Sequence, residues 1–183
     1  MKAVKSIIIV TAILAVGGMV LAAQDKKTKS NVKSKFDKGK NVTTVTLKTG
    51  IGGATSREVT NTGEVPQIDM EVSFSYPGEA PAKPVDTANF KFKSTSRYPV
   101  FQRSQNLMAV LDDDRAIEIG GTSYKSNSQT FYMEEIMEIA IPHEAMKKFS
   151  EAKTLKFFLG VREIKFRDDQ FSDLRELAGR MAP

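Results

Sequence analysis

The chain has no cysteine, no tryptophan and a single histidine, His143. Without cysteine there is no disulfide framework, no thiol nucleophile and no lipid-modified cysteine anchor. One histidine alone is a poor donor set for zinc, which takes three or four nitrogen or sulfur ligands. A serine nucleophile would need an orienting acid and a strained elbow, and no G-x-S-x-G is present. A phosphate-cradling loop is also missing. Gly50, Gly52, Gly53 and Gly63 fall close together, but Gly53 leads into Ala, Thr and Ser, not into a helical pattern. No β-α alternation points to a parallel sheet. The inventory assigns no catalytic, cofactor-binding or metal-ligating residue, and the chain reads as a non-enzyme.

Long apolar runs are scarce too. The longest is Ser6 to Leu21, preceded by Lys2 and Lys5 and followed by Ala22-Ala23-Gln24. A positive start, a short apolar run and small residues before a polar one make a signal peptide over residues 1–23, with cleavage after Ala22 or Ala23. The run is short for a spanning helix, and Gly17-Gly18 weakens it further. An uncleaved membrane anchor is the alternative. The expected location is exported, either periplasmic or extracellular.

Charge is distributed unevenly. The full chain carries 27 basic and 22 acidic residues, a net of +5. Residues 24–40 hold seven lysines and two aspartates, and residues 41–183 hold 18 basic against 20 acidic residues. The basic excess therefore precedes the domain. Residues 24–40 have only Val32 and Phe36 as sizeable apolar groups, too few to order a segment on their own. They read as a lysine-rich flexible linker, with contact to an anionic surface as the alternative. The segment has no arginine and one aromatic ring, which argues against specific nucleic-acid reading.

Residues 41–183 read as one β-rich domain. Val45 and Leu47 share a face in a threonine-rich strand from Val42 to Lys48. Ile68, Met70, Val72, Phe74 and Tyr76 alternate with polar residues without a fault, the clearest strand in the chain. Phe90 and Phe92 mark the next. Tyr98 to Phe101 is apolar and irregular and reads as core, or else as an exposed patch. Leu107 to Leu111 and Ile117 to Ile119 flank a turn at Asp112-Asp113-Asp114. These acids are adjacent rather than alternately spaced, so a turn is favoured over a calcium loop. Gly121 to Thr130 reads as a polar loop. Met137, Ile139 and Ile141 line one face of a strand that ends at Pro142. Glu135 falls on that same inward parity, which demands either a bulge or a buried partner. Glu134 and Glu138 share the outer side but stand apart.

The C-terminal part supplies two helices. Met146, Phe149 and Ala152 recur at three-residue spacing after Pro142, and His143 at that helix start is expected to face solvent. Leu155, Phe157 and Leu159 alternate, Gly160 turns the chain, and Ile164 and Phe166 return. Asp168 or Asp169 suits an N-cap. Phe171, Leu174, Leu177, Ala178 and Met181 then form an apolar helix face. The expected class is α+β or mainly β, an antiparallel sandwich or curled sheet of about eight strands with two helices near the C-terminus.

The runs LMAVLDDDRAIEIGG, IAIPHEAMKKFSEAKTLKFFLGVREIKF and FSDLRELAGRM resemble a group of exported bacterial proteins of uncharacterised function. The shared features are the hairpin, an I-P-x-x-x-(M/L) helix start, a strand pair and an L-R-x-L-A helix. The resemblance spans Val42 to Met181 and is best after Leu107. Many relatives place a glycine-containing two-residue turn where this chain has Asp113 and Asp114, so the turn here departs from the pattern. The resemblance implies a structural framework and export, and brings no activity or catalytic residue.

These observations favour an exported non-enzymatic module that binds a protein or envelope polymer. A small-ligand or lipid carrier with a β-cavity is the second reading. A hydrolase built on paired carboxylates is the third.

Overall fold

In a computed structural model, which describes residues 30–51, 67–112 and 115–183, the alternating stretches form strands and the two C-terminal apolar stripes form helices. In chain order the strands are β1 (Val32–Asp37), β2 (Val42–Ile51), β3 (Gln67–Pro77), β4 (Thr87–Ser96), β5 (Asn106–Leu111), β6 (Arg115–Gly121), β7 (Ser123–Ser128) and β8 (Met133–Pro142). Helix α1 (His143–Glu151) follows, then β9 (Leu155–Leu159), β10 (Arg162–Lys165) and α2 (Asp168–Gly179). The signal segment, the glycine-rich stretch from Gly52 to Gly63 and the pair Asp113-Asp114 lie outside the described residues.

The strands form two antiparallel sheets, so the expected mainly-β class with two C-terminal helices is what the chain adopts. The larger sheet has six strands in the order β1-β2-β3-β4-β8-β7, and the smaller has four in the order β10-β9-β5-β6. Neither closes on itself, and the described strands number ten, not about eight.

Two strands correct the sequence reading. The stretch expected to be linker contains β1, paired along its whole length with β2. Its inward Val32 is buried. The Asn31 side-chain amide donates to Asp173 of α2 (2.7 Å), and Arg180 donates to the Ser34 hydroxyl (2.8 Å). Backbone pairing and these anchors replace the apolar pattern that the segment lacks. The stretch expected to be a polar loop contains β7, paired with β8. β2 also runs on through Thr49 and Gly50 to Ile51. There the Gln170 side chain of α2 donates to the Gly50 carbonyl (2.7 Å) and the Thr49 hydroxyl (3.1 Å).

One apolar core joins the layers. Val45, Leu47, Met70, Val72, Phe90, Phe92 and Met137 project from the inner face of the six-stranded sheet. Against them lie Phe149 of α1, Leu174 and Leu177 of α2, and Phe157 of β9. Phe157 meets four rings edge-on: Phe90 at 5.9 Å, Phe92 at 6.4 Å, Phe149 at 5.4 Å and Phe166 at 5.2 Å. This geometry suits the aromatic quadrupole. The α1 stripe of Met146, Phe149 and Ala152 is buried as its spacing requires. Helix α2 begins at Asp168 with Arg167, not an aspartate, in the N-cap position. The Arg167 backbone N–H donates to Gln170 Oε1 (2.9 Å).

Gly160 closes the β9–β10 hairpin at φ +59°, where a side chain is strained. A Cβ there would collide with the Ser104 carbonyl oxygen. Phe157→Ala would remove the ring shared by four partners and is expected to cost about 3–5 kcal/mol in denaturant unfolding. Leu174→Asp would place an unpaired charge in the core and cost several kcal/mol. A melt like that of the parent in either variant would refute this core.

Candidate functional site: the outer face of the six-stranded sheet

Because side chains alternate along a strand, the residues between the core positions all emerge on one open face. Register lines them up in rows. Lys48 of β2 lies opposite Glu71 of β3, Glu71 opposite Lys91 of β4, and Lys91 opposite Glu138 of β8. The signs alternate across four strands. Two of these contacts close as ion pairs, Lys48–Glu71 at 2.8 Å and Lys91–Glu138 at 3.5 Å. Lys93 and Glu134 make a third at 2.5 Å. The Glu134 carboxylate, hydrogen-bonded to Lys93, raises the pKa of that lysine above its ordinary value. Such exposed pairs stabilise little, because water screens the charges and the long side chains lose entropy on pairing. Their main effect is to neutralise the middle of the face.

The face is grooved. A depression of about 540 Å³ lies over β1, β2 and β3, bordered by Lys33, Lys35, Thr44, Thr46 and Lys48. A second, of about 350 Å³, lies between Lys48, Asp69, Lys91 and Lys93. A third, of about 450 Å³, lies by Ser73, Asn89, Lys91 and Glu138. All three are open to solvent and edged by charged and polar residues, although the lysine stems and strand atoms make most of the lining of the first two apolar. The Thr44 and Ser75 hydroxyls are hydrogen-bonded across the strands (2.9 Å).

At the end of the sheet where β4 runs out and β8 begins, Tyr98, Phe131 and Tyr132 are exposed, Phe131 by 86%. The apolar run from Tyr98 to Phe101 thus divides. Phe101 is buried in the core, Val100 packs partly against it, and Tyr98 faces outward.

Of the other residues singled out in the sequence, Glu135 is the most deeply buried acid among the described residues, with no solvent exposure. The strand does not bulge around it, since β4 and β8 keep one register throughout. Instead the carboxylate finds donors. Val100 N–H reaches Oε2 at 2.8 Å, and Phe101 N–H reaches Oε1 at 2.9 Å. The Tyr124 hydroxyl, on the unforeseen β7, also lies 2.9 Å from Oε1. Burial first, and then the bond to Glu135, raise the Tyr124 pKa above the ordinary tyrosine value. This carboxylate is fully committed to holding the loop and presents no free edge to a substrate.

Asp112 has a similar local job. With φ at +54°, its carboxylate accepts from the backbone N–H of Lys153 (2.7 Å) and Thr154 (3.3 Å) and from Arg115 (2.6 Å). The Lys153 bond leads in lowering its pKa, followed by the Arg115 bond. His143 is half-buried, not solvent-facing. Its Nδ1 is enclosed with no hydrogen-bond partner among the described residues, and its backbone N–H donates to the Asp86 carbonyl (2.8 Å). Glu134 and Glu138 share the outer face as expected, each against its own lysine. Among the described residues, no group of three or more histidine, aspartate or glutamate side chains converges as a metal site. No helix among them is long and apolar enough to cross a membrane.

Comparison of the chain with family models, with curated proteins and with solved structures finds no match in any of the three.

Glu135→Ala would leave two loop N–H groups buried without an acceptor, each at about 1–3 kcal/mol. Glu135→Gln keeps one acceptor oxygen and should lose less. Denaturant unfolding orders the three proteins, and equal stability would contradict the arrangement. The sign of the Tyr124 effect is also fixed. A raised folded pKa means that its contribution is complete below the ordinary value of about 10 and is lost as pH rises through the folded value. Lys93 acts in the same alkaline window. Tyr124→Phe is therefore expected to reduce the fall in stability between neutral pH and pH above about 10 without abolishing it.

Proposed function

We propose that the chain is an exported, non-enzymatic binding module whose outer sheet face engages a protein or polymer partner in the envelope or outside the cell. The observation that carries this reading is the grooved, open face of the six-stranded sheet, bordered by charged side chains. A sheet face that no other described element covers, with several depressions over extended strands, suits an elongated partner better than a small compact one. The signal-like start of the sequence and its resemblance to exported proteins support the location.

The geometry favours this reading over both alternatives. A carrier would enclose an apolar space. Here the depressions are open to solvent and edged by charged side chains, while the space between the layers is filled by Phe90, Phe92, Phe149 and Phe157. A carboxylate hydrolase would bring two acids together in a cleft. Here Glu71, Glu134 and Glu138 each face a lysine, and Glu135 is committed to the loop.

In-cell crosslinking of the tagged protein in the envelope, followed by mass spectrometry, tests the reading. A saturable partner is expected. Its recovery should fall when Lys91 and Lys93 at the centre of the face are replaced by glutamate. Capture of no partner at all would count against the binding module and return weight to a carrier.

A further inference from the structure

The lysines of β1 and of the turn after it form a run on the outer face with no ion-pair partner among the described residues. Lys33 and Lys35 sit opposite Thr46 and Thr44 of β2, on the outward side, while Val32 points to the core. Two residues of strand advance about 6.8 Å, so these ammonium groups repeat along the sheet edge with that period. Lys38 and Lys40 are exposed in the turn that follows. The one acid among them, Asp37, accepts from the backbone N–H of Gly39 (3.0 Å) and Lys40 (3.2 Å). None of the four lysines forms an ion pair with a described residue, whereas Lys48, Lys91 and Lys93 all do. Beside this row lies the depression of about 540 Å³, with Thr44 and Thr46 on its floor. No aromatic ring and no arginine lines it, and its two acids, Asp37 and Glu71, are held by backbone N–H groups and by Lys48.

That combination has a definite chemistry. Repeating ammonium groups attract a chain of repeating anions. Threonine hydroxyls next to them can donate to phosphate oxygens and exchange hydrogen bonds with polyol hydroxyls. The absence of stacking rings and guanidinium forks disfavours nucleobases. We propose that the β1–β2 edge binds a linear polyol-phosphate polymer, laid along the strand with its phosphates over Lys33 and Lys35. This rests on the reading of the chain as an exported binding module and names the partner class and the seat. Lysine on an edge strand also discourages edge-to-edge pairing between copies, so a test must separate ligand binding from that role.

The test is calorimetric titration of the full-length protein with poly(glycerol phosphate) at several salt concentrations. It compares the parent, a Lys33→Gln/Lys35→Gln pair, and a Lys147→Gln/Lys148→Gln pair that removes the same charge from the exposed side of α1. Glutamine keeps the edge polar, and size measurement confirms that each variant stays in the same oligomeric state. The edge variant is expected to lose on the order of ten-fold in affinity, and its salt slope should shrink by about 1.4, as for two lost contacts to a single-stranded polyanion. The helix variant should bind like the parent. Equal loss in both variants, or no loss in the edge variant, would overturn the proposal. So would equal affinity for oligothymidine, or displacement of the polymer by phosphatidylglycerol vesicles. If the polymer fails to bind while in-cell crosslinking still captures a partner, the polymer proposal falls and the binding module stands. If neither detects a ligand, both fall.

Discussion

A carboxylate with no access to water sets the path of the chain between the two sheets. Burying an ionised acid costs several kcal/mol unless donors replace the lost water. Loop N–H groups at the same depth carry their own penalty if they find no acceptor. Glu135 and the backbone of Val100 and Phe101 resolve both problems at once. The loop after β4 is thereby drawn over the sheet, Phe101 is pressed into the core, and β5 begins in the second layer. The far end of the loop is fixed at Gly160, whose lack of a Cβ admits the Ser104 carbonyl and whose N–H donates to the Asn106 carbonyl (2.8 Å). Tyr124 completes the arrangement by tying β7 to the same acid. The Ser94 hydroxyl, directly opposite Glu135 in the ladder, is buried with no partner among the described residues.

How legible each strand was depends on its place in the sheet. β3, β4 and β8 have neighbours on both sides and bury most of one face, so their apolar residues recur at period two and mark them plainly. β1 and β7 are the two edges of the six-stranded sheet. β1 buries only Val32, and β7 offers only the half-buried Tyr124. An edge strand is held by backbone bonds on one side, and backbone bonds leave no pattern in side-chain chemistry. The lysines of β1 gave a correct account of solvation and a misleading one of order. The helices were legible because each must bury an apolar stripe to form at all.

The candidate site was less legible than the fold. Its charges are far apart in the chain, at positions 33, 48, 71, 91 and 138, and only the ladder register puts them in rows. Glu135 was the exception. Its inward parity beside Met137 could be read from sequence alone and required a buried partner. What could not be read was the identity of that partner, because two of its donors are backbone groups and the third sits on an unforeseen strand.

The placement of charge follows from the same sheet geometry. The inner face cannot tolerate unpaired ions, so nearly all ionisable groups of β1 to β4 and β8 are sorted onto the outer face by parity alone. In the interior strands each lysine there meets an acid on the next strand, because like charges side by side are destabilising and opposite ones mildly favourable. β1 has a neighbour on one side only, and that neighbour offers it threonine rather than acid. Its lysines therefore have no cross-strand acid to pair with. Charge accumulates at this edge because a ladder that neutralises itself strand by strand stops there. At this edge the nearest acids are already engaged, Asp37 by backbone N–H groups and Glu71 by Lys48, which leaves Lys33 and Lys35 without an ion-pair partner among the described residues.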